Sequence, residues 1–332
     1  MSKKLMVLAC TLLVLLAIVP FSITAQATPS AKIKIGFVAG SVDPFYQVME
    51  LGVNQAVADL GLSVVSQYPP APWGPSSQTP ILNAMIARGD LDYLIIAPTD
   101  KDQMVAPLQA AVDAGIKVIT VDTFLGDGDY VNGPVKFPLS YIGSDNTQGG
   151  AIAADALAKA LGETGKVYIQ NTTVGTSTTE QRGQGFKDEI AKYPKMTLVG
   201  MDYNLDDANT SAAQTAAVLQ RAPDLGGIFG VNVFSATGAS NAVINAGLGG
   251  SVQVVAFDAT KDAIEKLRQG AISLVIAQKP FDMGYLAVEF AMADHSGVTS
   301  LPRRVPTGYQ VITKDNVDDP AVARFIYQVP GQ

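Results

Sequence analysis

The chain has 332 residues, with 23 Lys and Arg against 30 Asp and Glu, a formal net charge of −7 and 48% hydrophobic residues. A moderately acidic chain of ordinary globular composition is poorly suited to nucleic acid or an anionic membrane surface as partner. It has one cysteine and one histidine, Cys10 and His295, so a Ser-His-Asp site would rest on His295 alone.

Lys3 and Lys4 precede an apolar run from Leu5 to Val19, and Ala25-Gln26-Ala27 offers a small-x-small cleavage site. This predicts a secretory signal peptide over 1–27, and hence a periplasmic mature chain without cysteine. Cys10 lies before most of the apolar run, so no lipoprotein site is expected there. The roughly 300 residues that remain exceed what one core usually holds, which predicts two lobes.

A first strand reads at Ile33–Val38, followed by "AGSVDPFYQVM". Asp43 as N-cap and Pro44 at the first helical position open a helix. Phe45 and Tyr46 then stand side by side, where neighbouring helical positions point about 100° apart. One of the two rings must look away from the sheet that the helix covers. The segment "QYPPAPWGPSSQ" reads as a loop, with Trp73 either packed as part of a lid or exposing its face as a stacking platform.

Strands follow at Tyr93–Ala97 and Lys117–Val121, with a helix over Met104–Ala114 between them. "GDGDY" carries Asp127 and Asp129 but lacks the later ligands and closing Glu of a calcium loop, so no metal is expected. Helices over Gly149–Leu161 and Gln184–Ala191 flank a strand at Val167–Gln170, and further strands read at Gly227–Val231 and Gln253–Phe257. Such alternation predicts an α/β protein with parallel sheets covered by helices. No G-x-G-x-x-G, phosphate loop or G-x-S-x-G is present, and no cofactor is expected.

Two segments share one plan. "LDYLIIAPTDKDQMVAPLQAAVDAGIKVITVD" and "LGGIFGVNVFSATGASNAVINAGLGGSVQVVAFD" both run strand, helix, strand, Asp. Asp122 and Asp258 thus stand past the carboxyl ends of buried strands, where open α/β sheets place ligands. One ligand held between two lobes is the simplest arrangement, with Phe45 or Tyr46 as a wall. Two carboxyls across a cleft also suit glycoside hydrolysis, but nothing tunes either one as an acid, so no enzyme is expected.

These segments, with "DPFYQVMELGVNQAVADLG", "YIGSDNTQGGAIAADALA", "EQRGQGF", "IFGVN" and "AISLVIAQKPFDMG", resemble the ribose-binding-protein-like periplasmic sugar-binding proteins of ABC transporters over essentially the whole mature chain. The resemblance implies the type I periplasmic binding protein fold, two Rossmann-like lobes joined by three crossover strands. Its lobes would span 28–144 with 278–307, and 145–277 with 308–332.

Ligand contacts carried over by the resemblance are Asp43, Phe45, Tyr46, Asp122, Thr123, Arg182, Asn232, Asp258 and Gln278. Read without it, Arg182 serves equally as a surface ion-pair partner, and Asn232 as a turn residue. Gln278 would then simply belong to a crossover. Where the family often has Asn, Arg and Asp, this chain has Asp43, Thr123 and Val233, which weighs against ribose itself.

The function implied is capture of a neutral pentose, hexose or polyol by a monomer and its delivery to a membrane permease. The same binding event read by a chemoreceptor or sensor kinase is the alternative, whereas a signal peptide stands where a repressor of this fold would carry its DNA-binding helices. With Asp43, Asp122 and Asp258 against Arg182, the site would carry two net negative charges. Tyr46, as a wall rather than core, would matter to affinity and little to stability.

Overall fold

A computed structural model describes residues 33–331, which form two six-stranded sheets flanked by helices. The expected signal peptide, its cleavage site and Cys10 lie outside the described residues. Among the described residues no helix is long and apolar enough to cross a membrane.

The chain begins with β1 (Lys34–Val38), α1 (Pro44–Leu60), β2 (Ser63–Gln67) and α2 (Pro75–Ala87). Then come β3 (Tyr93–Ile96), α3 (Val105–Asp113), β4 (Lys117–Val121) and β5 (Tyr141–Gly143). The next stretch holds α4 (Asn146–Ala160), β6 (Thr164–Asn171), α5 (Ser177–Ile190), β7 (Lys195–Tyr203) and α6 (Ala208–Arg221). It continues through β8 (Leu225–Gly230), α7 (Val233–Asn245), β9 (Gln253–Phe257), α8 (Lys261–Gln269) and β10 (Leu274–Ala277). The last elements are α9 (Pro280–His295), β11 (Arg304–Pro306), β12 (Gln310–Ile312) and α10 (Pro320–Ala323).

The strand orders are β11-β5-β4-β3-β1-β2 and β12-β10-β9-β8-β6-β7, so the two sheets repeat one topology. They differ at one edge, where β11 runs parallel to β5 but β12 antiparallel to β10. The repeated segments of the sequence are β3-α3-β4 and β8-α7-β9. They occupy matching places, and their strands are buried because helices cover both faces of each sheet. Burying one Ile such as Ile95 or Ile119 contributes about 1.5–3 kcal/mol.

All six expected strands are present, with ends shifted by a few residues, and a seventh, β10, ends just before Gln278. The sequence reading did not find β2, β5, β7, β11 and β12. These are short or only half-buried, so their apolar pattern is weak. The last third of the expected loop "QYPPAPWGPSSQ" is helix, since α2 begins at Pro75, where proline at the first position suits a helix start. The chain changes sheets three times, through the segments 144–145, 278–279 and 307–309 that follow β5, β10 and β11. These crossings are short irregular segments between named elements, not the strands expected.

Helix α1 starts as its sequence dictates. Asp43 Oδ1 accepts from the N–H groups of Phe45 at 2.8 Å and Tyr46 at 3.2 Å. The helix ends on Gly61, whose φ of 64° closes the last turn without a Cβ penalty. In the other lobe α4 and α5 approach so closely that a Cβ at Gly150 would run into the Arg182 carbonyl. That close approach sets Arg182, on α5, beside Asn146, on α4.

Candidate functional site

The carboxyl ends of strands from both sheets converge on a cavity of about 400 Å³ of atom-free space, part of it open to solvent. Asp43, Phe45, Tyr46, Trp73 and Asp122 line it from the first lobe, and Arg182, Asn232 and Asp258 from the second. Gln278 enters from a crossing. Nine of the ten residues named from the sequence are therefore brought together.

Thr123 is not among the lining residues. Its N–H donates to the Val121 carbonyl at 2.6 Å, closing a tight turn around Asp122, which has φ of 58°. That turn leaves Asp122 on the cavity and takes the chain away from it. Thr123 is fully buried instead.

Asp122 and Asp258 are equivalent. Each follows a central strand, each has positive φ (58° and 75°), and each donates its N–H to the neighbouring strand, at Ile142 and Ile276. Asp tolerates this backbone region better than most non-glycine residues. Asp122 Oδ2 accepts from the Tyr46 hydroxyl at 2.8 Å. Asp258 Oδ1 accepts from Gln278 Nε2 at 2.8 Å and from the Tyr327 hydroxyl at 3.0 Å. Gln278 Oε1 in turn accepts from Ser144 Oγ at 2.8 Å, which ties two crossings to the site.

The aromatic wall follows from α1. Both Phe45 and Tyr46 are buried, and their rings meet edge to face with centroids 5.0 Å apart. Trp73 stacks on Tyr46 at 6.4 Å and anchors its Nε1–H on the Thr99 carbonyl at 2.8 Å. Gly40 makes room for this stack, because a Cβ there would collide with the Tyr46 hydroxyl and the Trp73 ring. Trp73 is thus both packed and facing the cavity. Tyr46 is also part of the hydrophobic core, which corrects the expectation that it is a wall alone.

Arg182 is 2% exposed, with its guanidinium 3.9 Å over the Phe257 ring. Nε donates to Asn146 Oδ1 and Nη1 to the Val231 carbonyl, both at 2.9 Å, while Nη2 has no partner among the described residues. It is not a surface ion-pair residue. Asn232 caps α7 by accepting from Ser235 N–H, and its Nδ2 donates to Asp206 Oδ1 at 2.6 Å.

The sequence reading missed Asp206, Ser41, Val233 and four threonines between the end of β6 and the first turn of α5 (Thr172, Thr176, Thr178 and Thr179). Asp206 stands just past β7, as Asp122 stands past β4, so recognising that edge strand would have found it. The run "NTTVGTSTTE" was the corresponding signal for the threonines.

Asp206 raises the count to four carboxylates against one guanidinium, where three had been expected. Burial pushes Asp43 up to about 7, with repulsion from Asp206 and Asp258 adding to it. Burial likewise pushes Asp122 and Asp206 up to about 6. It raises Asp258 too, while Arg182 draws both Asp122 and Asp258 back down. Such a site presents acceptors from several sides and suits a ligand rich in hydrogen-bond donors. The described residues contain no cluster of His, Cys, Asp and Glu able to hold a metal ion, and Asp127 and Asp129 cap turns of an exposed loop.

A periplasmic binding protein domain matches residues 35–297. A ribose import binding protein of Salmonella typhimurium is 33% identical over 282 residues, covering 83% of this chain and 90% of that protein. An ABC transporter solute-binding protein of Agrobacterium vitis, solved with bound α-D-tagatopyranose, superposes with TM-score 0.87 at 48% identity. The match covers 90% of this chain and 100% of that one. A carbohydrate transporter solute-binding protein of Agrobacterium radiobacter, in complex with D-arabinose, gives TM-score 0.82 at 29% identity over 89% and 99% of the two chains.

Proposed function

Because this chain belongs to the periplasmic binding protein family, we propose that it captures a neutral monosaccharide between its lobes and delivers it to the permease of an ABC transporter. The observation that carries this reading is the cavity itself, where strand-end carboxylates, one buried guanidinium and an aromatic wall converge. The 48% identity to a protein holding a hexopyranose supports a hexose ahead of other sugars. The protein acts as a binding component and not as an enzyme. It works as an exported monomer after removal of residues 1–27, with lobes spanning 28–144 with 278–307, and 145–277 with 308–332.

The chemistry follows from the residue types. A sugar hydroxyl both donates and accepts, so carboxylates take its proton side while Arg182 Nη2 and side-chain hydroxyls supply donors. Each charge-assisted hydrogen bond contributes about 1.5–3 kcal/mol. Four or five of them, less the cost of immobilisation, reach the roughly 8 kcal/mol of a micromolar complex. Phe45, Tyr46 and Trp73 cover the apolar faces of the ring.

Closure of the lobes over the sugar gives the permease a shape that reports occupancy. Two hydrogen bonds already link the lobe surfaces outside the cavity. Lys101 N–H donates to the Gly175 carbonyl, and Phe124 N–H to Ser177 Oγ, both at 3.0 Å.

A thermal-shift and calorimetric screen of the mature chain against ketohexoses, aldohexoses, pentoses and polyols tests the proposal. At least one neutral sugar should bind at micromolar affinity or tighter. Absence of binding across the panel would overturn it.

A further inference from the structure

The carboxylates of the cavity fall into two unlike pairs. Arg182 lines the cavity together with Asp122 and Asp258, and its positive charge draws both carboxyls down against the effect of burial. Asp43 and Asp206 come from different lobes, and neither has a cation among its hydrogen-bond or ion-pair partners. The partners of Asp43 are the Ser41 hydroxyl at 2.5 Å and the N–H groups of Phe45 and Tyr46. Asp206 has the Asn232 amide. Those donors are thus already engaged.

A ligand hydroxyl placed between Asp43 and Asp206 would bring lone pairs that these spent donors leave unanswered. An ammonium group carries three donors and no acceptor. Elsewhere the cavity keeps unused polar groups for the rest of a ligand. Thr176, 4% exposed, and Arg182 both line the cavity, and the Thr176 hydroxyl and Arg182 Nη2 are buried without a partner among the described residues.

We infer that the site accepts a sugar bearing one ammonium group, held between Asp43 and Asp206, in preference to the neutral sugar of the same skeleton. The inference rests on the reading of this cavity as a sugar site. The hydroxyls of such an amino sugar meet Asp122, Asp258, Arg182 and the threonines, as those of a neutral sugar would.

Calorimetry of the mature chain tests it with 2-amino-2-deoxy-D-galactose, 2-amino-2-deoxy-D-glucose and 1-amino-1-deoxy-D-fructose. Each is compared with its neutral parent and with its N-acetylated form, which keeps the skeleton but removes the charge. At least one amino sugar should bind about tenfold tighter than its parent, and its N-acetyl form should lose that advantage. In Asp206→Asn the ratio of amino-sugar to neutral-sugar affinity should drop about tenfold. If neutral sugars bind but no amine exceeds its parent in the wild-type protein, the ammonium inference is overturned and the sugar reading stands. Binding of neither class defeats both.

Discussion

The Tyr46 hydroxyl donates to Asp122 Oδ2 at 2.8 Å and so joins the first turn of α1 to the end of β4 at one wall of the cavity. The bond makes an aromatic residue at once part of the core and part of the site. Two substitutions separate these roles. Tyr46→Phe keeps the packed ring and should lower ligand affinity with only a small change in melting temperature. Tyr46→Ala also removes buried ring volume and should destabilise the protein by about 3 kcal/mol or more. Equal stability of Tyr46→Ala and wild type in denaturant titrations would show that the ring is not core.

Asp122 and Asp258 both hold left-handed backbone, so the choice of replacement matters. Asn tolerates that conformation and removes the charge. Asp122→Asn and Asp258→Asn should each weaken sugar binding by about 1.5–3 kcal/mol while folding normally. Ala at either position should lose affinity and, in addition, about 1 kcal/mol of stability through backbone strain. Wild-type affinity in both Asn variants, measured by calorimetry, would place the ligand elsewhere.

Stability of the ligand-free protein should depend on pH in an unusual direction. Asp43, Asp122 and Asp206 are pushed by burial up to about 7, about 6 and about 6, from 3.8. Between those values the folded chain binds more protons than the unfolded one, so these groups make stability fall as pH rises from about 4 to about 7. Melting temperatures across that window should decline toward neutrality. Asp43→Asn should flatten the slope. A wild-type profile that rises steadily with pH would contradict this account.

Anionic sugars should bind poorly. Four carboxylates against one guanidinium repel a further negative charge in a site of low dielectric, where such repulsion reaches several kcal/mol at short range. Hexose phosphates and uronates should give no thermal shift at concentrations where a neutral sugar gives a clear one. A phosphorylated sugar producing the largest shift would defeat the charge argument.

The lobe contacts outside the cavity give a separate test. Ser177→Ala removes the acceptor of the Phe124 N–H without touching the lining residues. It should cost the closed form about 1 kcal/mol. Small-angle scattering without ligand should then show a more open particle, with wild-type dimensions restored by saturating sugar. Identical curves for the two proteins without ligand would show that this bond does not hold the lobes together.

Much of the fold is legible in local pattern alone. Buried parallel strands such as "YLII" and "KVITV" are apolar or nearly so along their length, and the order strand, helix, strand, Asp is written twice, so the two lobes and the places of Asp122 and Asp258 follow from the chain. Asp43 before Pro44 announces a helix start because capping is a matter of adjacent residues. Tertiary structure decided the remainder. Asp206 joins the site only because β7 pairs with β6 at a sheet edge, and half-buried edge strands carry little apolar signal. Arg182 points inward because glycines let α4 and α5 approach closely enough for Asn146 and the Val231 carbonyl to hold it. Thr123 leaves the cavity because one left-handed residue turns the chain. Each of these depends on contacts between residues far apart in sequence, or on a backbone angle that such contacts stabilise, and no local pattern of side chains encodes them.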